Sequence, residues 1–244
     1  MKAMILAAGL GTRLRPWTLS HPKALVPVGG VPMLKRVIER LRDEGVDEIV
    51  INAHHFASQI IDYLHDNDFG VKTVVSDESD NLLDTGGGLL KALPLLDSAD
   101  DMPFLVHNVD ILSDAPLRKL YETNIKSGRG ATLLVSPRES SRRLIFSEDM
   151  LLRGWRDNAS GKLRPDGFVP QAGMSDYAFS GIYVARPSLI HDMCALGLEG
   201  KFGVMDYFLH PDRIAEIEGM SLPSLKIIDI GKPATLSQAN ILFS

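Results

Sequence analysis

The chain has 244 residues, 45% of them hydrophobic and 23% charged, with a net charge of −5; this is the balance of a globular protein and argues against a general nucleic-acid binder, whose surface is basic. One cysteine, Cys194, rules out an internal disulfide framework and fits a reducing, cytoplasmic setting, where it is expected as a small buried hydrophobe. No run approaches the ~20 apolar residues that span a bilayer, and Ala3 to Ala8 is too short for a secretion-signal core before Gly9 and Arg13 interrupt it.

Met1 to Ala7 reads as a short buried strand. Val31 to Glu44 carries Leu34, Val37, Ile38 and Leu41 at helical spacing, with Pro32 near its start and Gly45 at its end. Glu48 to Ala53 reads as a strand, Ala57 to Asp66 as a helix and Val71 to Ser76 as a strand. A helix from Gly88 to Leu93 follows a glycine turn. Pro103 to Asn108 is a strand, Pro116 to Lys126 a helix and Ala131 to Ser136 a strand. This alternation predicts an α/β fold, a doubly wound, mostly parallel Rossmann-like sheet with helices on both faces. Ligands of such sheets collect at the carboxyl ends of the strands.

The rhythm changes near Arg142. Arg142 to Ser147 and Leu151 to Arg156 read as a hairpin, and Asn158 to Ser175 as a long mobile loop. Ala178 to Ala185 is a strand, followed by helical pieces at Pro187 to Leu196 and Val204 to Leu209. Leu225 to Ile230 is a late strand, and Pro233 opens a closing helix. One domain over 1–244 is expected, with a nucleotide-binding part near 1–136 and a small β-rich sugar-side part over 137–244.

The first strand runs into Gly9-Leu10-Gly11-Thr12-Arg13. A dinucleotide fingerprint would need a third glycine where Leu14 stands, and the Gly-Lys-Ser/Thr of a P-loop is absent. Glycines still let backbone amides converge on an anion. Arg13, Arg15 and Lys23 stand close behind, in a segment stiffened by Pro16, Pro22 and Pro27. Phosphate binding is the favoured reading over a tight turn with solvated cations.

LAAGLGTRLRP followed by HPKALVPVGGVP resembles the signature of the sugar-1-phosphate nucleotidyltransferases, G-x-G-T-R-L-x-P and then P-K-x-L-x-P. Asp84-Thr85-Gly86-Gly87-Gly88, Asn108-Val109-Asp110, Phe179-Ser180-Gly181 and Asp229-Ile230-Gly231 extend the resemblance over most of the chain. It implies an enzyme that makes an NDP-sugar and pyrophosphate from an NTP and a sugar 1-phosphate. Arg13 and Lys23 become the catalytic cations. Ala7, Ala8, Gly9, Gly11, Thr12, Thr85, Gly86 and Gly87 become nucleotide contacts, and Asn108 and Ser180 hydroxyl partners of the sugar.

Asp110 follows an apolar strand, and Asp229 lies among Ile227, Ile228 and Ile230, where a carboxylate is costly unless paired, hydrogen-bonded or metal-bound. Mg²⁺ takes one or two carboxylates and completes its shell with phosphate oxygens and water. The resemblance gives both acids that role. Relatives commonly have glycine where this chain has Val109, a side chain expected to narrow the pocket or shift the backbone. The Glu-Lys-Pro segment whose lysine holds the sugar phosphate is missing, leaving Arg142, Arg143, Lys162 and Arg164 as candidate substitutes.

Within the family, the TGGG and FSGI stretches are most similar to uridylyltransferases acting on N-acetylmuramate 1-phosphate, and next to guanylyltransferases acting on mannose or heptose 1-phosphate. A phosphocholine cytidylyltransferase would need an aromatic cage from Trp155, Tyr177 and Phe179. A non-catalytic nucleotide-sugar sensor is the alternative of another class. Neither nucleic acid nor membrane is an expected partner, and a monomer or homodimer is expected. His54-His55 lacks the spacing of a metal site.

Overall fold

The computed structural model describes residues 1–231 and 233–243. The strands in chain order are β1 (Lys2–Leu6), β2 (Pro27–Val28), β3 (Val31–Pro32), β4 (Glu48–Ala53), β5 (Lys72–Asp77), β6 (Phe104–Asn108) and β7 (Ile111–Ser113). They continue with β8 (Ala131–Ser136), β9 (Arg142–Phe146), β10 (Leu152–Asp157), β11 (Leu163–Arg164), β12 (Ser175–Ala185), β13 (Ile217–Ser221) and β14 (Ile227–Asp229). The helices are α1 (Met33–Asp43), α2 (Ala57–His65), α3 (Asp84–Leu96), α4 (Leu117–Ser127), α5 (Pro187–Ala195), α6 (Val204–Phe208) and α7 (Pro233–Phe243).

Period-two alternation in the central strands explains why both sheet faces are covered. Ala3, Ile5, Ile49 and Ile51 join one buried cluster with Leu34, Ile38 and Leu41 of α1, Ile60 of α2 and Leu120 of α4. Met4 and Val50 point the other way, into a second cluster with Leu89 and Leu93 of α3, Ile190 of α5 and Phe208 of α6. The sheet runs β11-β10-β9-β12-β6-β1-β4-β5, with β8 joined to β12 and β13 to β8. β6, β1, β4 and β5 are mutually parallel, and β8 with β13 forms a second parallel pair. β12 and the hairpin β9–β10 are antiparallel. The chain runs outward from β1 through β4 to β5, then returns through α3 to place β6 on the other side of β1. The carboxyl ends of β1 and β6 therefore flank the point where strand order reverses, the crevice in which such sheets bind ligands.

Four expectations are corrected. Helix α3 begins at Asp84, so Gly86, Gly87 and Gly88 lie inside it and not in a turn before it. Val31–Pro32 pairs with Pro27–Val28 as a small hairpin around Gly29 and Gly30, and α1 starts after it. The segment 158–175 is no bare loop: Leu163–Arg164 pairs with Trp155–Arg156, and the Phe168 ring lies against Gly154. Cys194 is exposed, because Leu189, Ile190 and Met193 form the inward face of its helix.

Candidate active site

The turn after β1 is built by Gly11. Its φ of +61° suits glycine, and an added Cβ would lie 2.9 Å from both the Lys23 Cβ and the Thr18 Cγ2. The Thr18 hydroxyl donates to the Gly11 carbonyl (2.9 Å), and the Leu14 amide closes a 3₁₀ turn on the same oxygen (2.8 Å). Gly11 thus lets the stem of Lys23 press against the turn that carries Thr12 and Arg13. Among the described residues, the amides of Gly9, Leu10 and Gly11 have no protein acceptor, as an anion-binding turn requires.

Below that turn the polar contacts are closed. The Ala7 amide donates to Asn52 Oδ1 (2.7 Å), and Asn52 Nδ2 donates to Glu78 Oε1 (2.7 Å). Burial pushes the Glu78 carboxyl up, against the bonds from Asn52 and the Leu83 amide. Gly88 leaves room for this pair, since a Cβ there would lie 2.8 Å from each partner atom. Ala7 and Ala8 are buried, while Gly9 and Thr12 are open to solvent.

Lys23 forms an ion pair with Asp110, and each side chain retains only 14% of its exposure. Asp110 leaves the end of β6 one residue before β7, while Asp229 ends β14. These two short strands pair antiparallel with Asp229 opposite Ile111, and the Ile230 amide donates to the Asp110 carbonyl (2.9 Å). Both carboxylates converge on Gly231. A Cβ on that glycine would lie 2.7 Å from an Arg13 guanidinium nitrogen, 2.8 Å from Asp229 Oδ1 and 3.0 Å from Asp110 Oδ2.

Asp229 is exposed, and its Oδ1 accepts from the Gly231 amide (2.7 Å). Ile230 turns inward at 0% exposure, and the acid faces the crevice. Val109 is likewise buried in the core beneath α1 and α4, so its side chain does not narrow the crevice. Among the described residues no three His, Cys, Asp or Glu side chains gather as a metal site. The carboxylate pair fits Mg²⁺ as a partial site that phosphate oxygens and water would complete.

Other expected contacts have partners within the protein. The amides of Gly86 and Gly87 donate to the Phe202 carbonyl (2.9 and 3.3 Å), and the Thr85 hydroxyl accepts from the Val204 amide (2.9 Å). The glycine run here lets segment 200–204 lie against the first turn of α3. Ser180 is 1% exposed and donates to the Leu134 carbonyl (2.7 Å), which makes it a strut of the sheet. Asn108 sits at the crevice, beside Gly181, where a Cβ would lie 2.7 Å from its Nδ2. His54 Nδ1 meets the Glu78 carbonyl and His55 Nε2 the Thr18 carbonyl. Tyr177 packs on Phe146 and Phe179 on Tyr183, and no ring contact among the described residues joins either to Trp155. A cavity of about 820 Å³ lies elsewhere, between α1 and the β7–β14 ribbon, and none of the expected site residues lines it.

Residues 2–144 match the nucleotidyl transferase family. The chain belongs to that family. This nucleotidyl transferase is 34% identical over 247 residues to N-acetylmuramate alpha-1-phosphate uridylyltransferase of Neisseria meningitidis serogroup B, covering 99% of this chain and 98% of that protein. It is 31% identical over 194 residues to mannose-1-phosphate guanylyltransferase 1 of Arabidopsis thaliana, covering 78% of this chain. The match spans 51% of that guanylyltransferase, about half its length. Its fold is that of HddC from Yersinia pseudotuberculosis, with a TM-score of 0.78 at 24% identity, covering 100% of this chain and 99% of the other. UDP-glucose pyrophosphorylase from Acinetobacter baumanii gives 0.74 at 17% identity, with coverages of 99% and 92%.

Proposed function

We propose that the protein transfers a nucleotidyl group from an NTP to a sugar 1-phosphate, with UTP and N-acetylmuramate 1-phosphate as its pair. The observation that carries the reaction class is the convergence of Arg13, Asp110 and Asp229 on Gly231, with Lys23 on Asp110. The substrate pair rests on the meningococcal relative, which matches along nearly its whole length.

An oxygen of the sugar phosphate attacks the α-phosphorus of the NTP. The bond from that phosphorus to the bridging oxygen breaks, and pyrophosphate leaves with the electron pair. The nucleophile is already an anion and needs no general base, so the protein aligns the two phosphates and offsets their charge. The turn amides of Gly9 to Gly11 and the Arg13 guanidinium take the departing β- and γ-phosphates. Lys23 lies at the reacting phosphate, between the turn and Asp110. Asp110 and Asp229 would hold Mg²⁺, which supplies Lewis-acid polarisation of phosphoryl oxygens when bound.

Guanylyl transfer to mannose 1-phosphate is the second reading, on the strength of the plant relative. A panel of UTP, GTP, CTP and dTTP against sugar 1-phosphates and phosphocholine, read by coupled phosphate release, tests both. Release with UTP and N-acetylmuramate 1-phosphate is the expected result. Release only with GTP and mannose or heptose 1-phosphate replaces the first pair by the second, and silence across the panel overturns the reaction.

A further inference from the structure

The charges described so far leave an imbalance. Arg13 and Lys23 are matched one for one by Asp110 and Asp229, so the four side chains offer no net charge to two phosphorylated substrates. Of the four candidate cations of the sugar-side half, Arg143 and Arg164 are committed, while Arg142 and Lys162 are exposed and, among the described residues, form no ion pair. Arg143 is nearly buried and bonds Asp176 through Nε (2.8 Å) and its carbonyl through a terminal nitrogen (2.7 Å). Arg156 pairs with the same carboxylate, and Arg164 pairs with Asp206 (2.9 Å).

Arg138 is different. It follows β8 in the short connection to β9 and is exposed. One terminal nitrogen donates to the Phe179 carbonyl (2.9 Å) and the other reaches the Glu139 carbonyl at 3.4 Å. Among the described residues no carboxylate forms an ion pair with it. Partial burial disfavours its charged form, the charge of Asp229 favours it, and the neighbouring Arg143 opposes it.

Its setting is rigid. Arg143 donates to the Arg138 carbonyl (2.7 Å), fixing the main chain from which the side chain departs. Phe179 precedes the irregularity in β12 at Ser180-Gly181, and Gly181 is the residue that Asn108 packs against. Arg138 is therefore a guanidinium held against β12, with no ion pair among the described residues and with the charge of Asp229 acting on it. A planar fork of donors in that position suits two oxygens of one phosphate.

We infer that Arg138 binds the phosphate of the acceptor sugar 1-phosphate and sets it in line with the α-phosphorus. This rests on the transfer reaction proposed above. The test compares wild type, Arg138→Ala and Arg138→Lys by steady-state kinetics with each substrate varied, and by calorimetric titration of NTP and of sugar 1-phosphate separately.

Arg138→Ala is expected to raise KM for the sugar 1-phosphate about tenfold or more, the scale for one charge-assisted contact. KM and affinity for the NTP stay at wild-type values, and Arg138→Lys falls between the two. Because titration needs no turnover, a catalytically silent wild type that still binds sugar 1-phosphate, with loss in Arg138→Ala, sinks the reaction and keeps the assignment. Unchanged sugar-phosphate binding in Arg138→Ala, or equal loss for both substrates, overturns the assignment and leaves the reaction standing. If Arg138→Ala is misfolded by circular dichroism, Arg138→Gln takes its place under the same criteria.

Discussion

Leu14 and Ile230 come from opposite ends of the chain and are buried in one small cluster with Val26, Val28, Met33 and Ala239. Arg13 and Asp229 are their sequence neighbours, so the contact that buries two apolar side chains also brings a cation and a carboxylate to the same glycine. Packing here sets electrostatics, since apolar burial is the stronger and less screened force.

Gly231→Ala tests that meeting point most directly. The new methyl group would stand within 3.0 Å of Asp110 Oδ2 and closer still to Asp229 and Arg13, where reacting phosphates are proposed to sit. Turnover is expected to fall about a hundredfold, the loss typical of one displaced electrostatic contact, while the thermal midpoint stays close to wild type. Full activity in the substrate panel would show that the carboxylates do not act there.

Removing the cations should give a similar loss without unfolding. Arg13→Ala and Lys23→Ala are each expected to lower turnover roughly a hundredfold or more. Asp110→Asn should weaken or abolish the response to added Mg²⁺. A metal titration that matches wild type would remove Asp110 from the ion's shell.

Asn52 bridges the nucleotide turn to the buried Glu78. Asn52→Ala leaves the Ala7 amide and a buried carboxyl oxygen without their partner, at a cost of about 1–3 kcal/mol. Urea unfolding reads that cost, and KM for the NTP should rise as the turn loosens. Wild-type stability together with wild-type KM would contradict the bridging role.

His107 gives a pH signature. Burial pushes its imidazole down to about 4, against the opposing pull of the Asn108 carbonyl and of Asp110. Between its ordinary value of 6.5 and about 4, the unfolded chain takes up a proton that the folded chain refuses. Stability therefore falls as pH drops through that window, by about 3 kcal/mol in all, and this contribution levels off below it. His107→Gln should flatten the slope in denaturant titrations at pH 7, 5.5 and 4.5. Parallel slopes for the two proteins would rule the imidazole out as the source.

Much of this was legible in the sequence. Apolar runs with period two or 3.6 gave the central strands and helices, because both sheet faces are buried and tolerate no slip in register. Asp110 and Asp229 stood out as carboxylates at the ends of such runs. The glycines of α3 read as a turn because glycine disfavours helix interiors, yet the docking of Phe202 overrides that preference. Ser180 could not be told from a ligand contact, since its bond to the Leu134 carbonyl joins strands distant in sequence. Arg138 carries no periodic signal at all, and only its bond to the Phe179 carbonyl, at the irregularity of β12, singles it out.

The pairing of Asp229 with Ile111 has a wider consequence. Both acids are anchored by a two-strand ribbon that, among the described residues, pairs with no strand of residues 137–176, a segment of the expected sugar-side part. Replacing that segment with one of different shape, with Arg138 kept to align the acceptor phosphate, is thus a route to altered acceptor choice that leaves the chemical engine assembled.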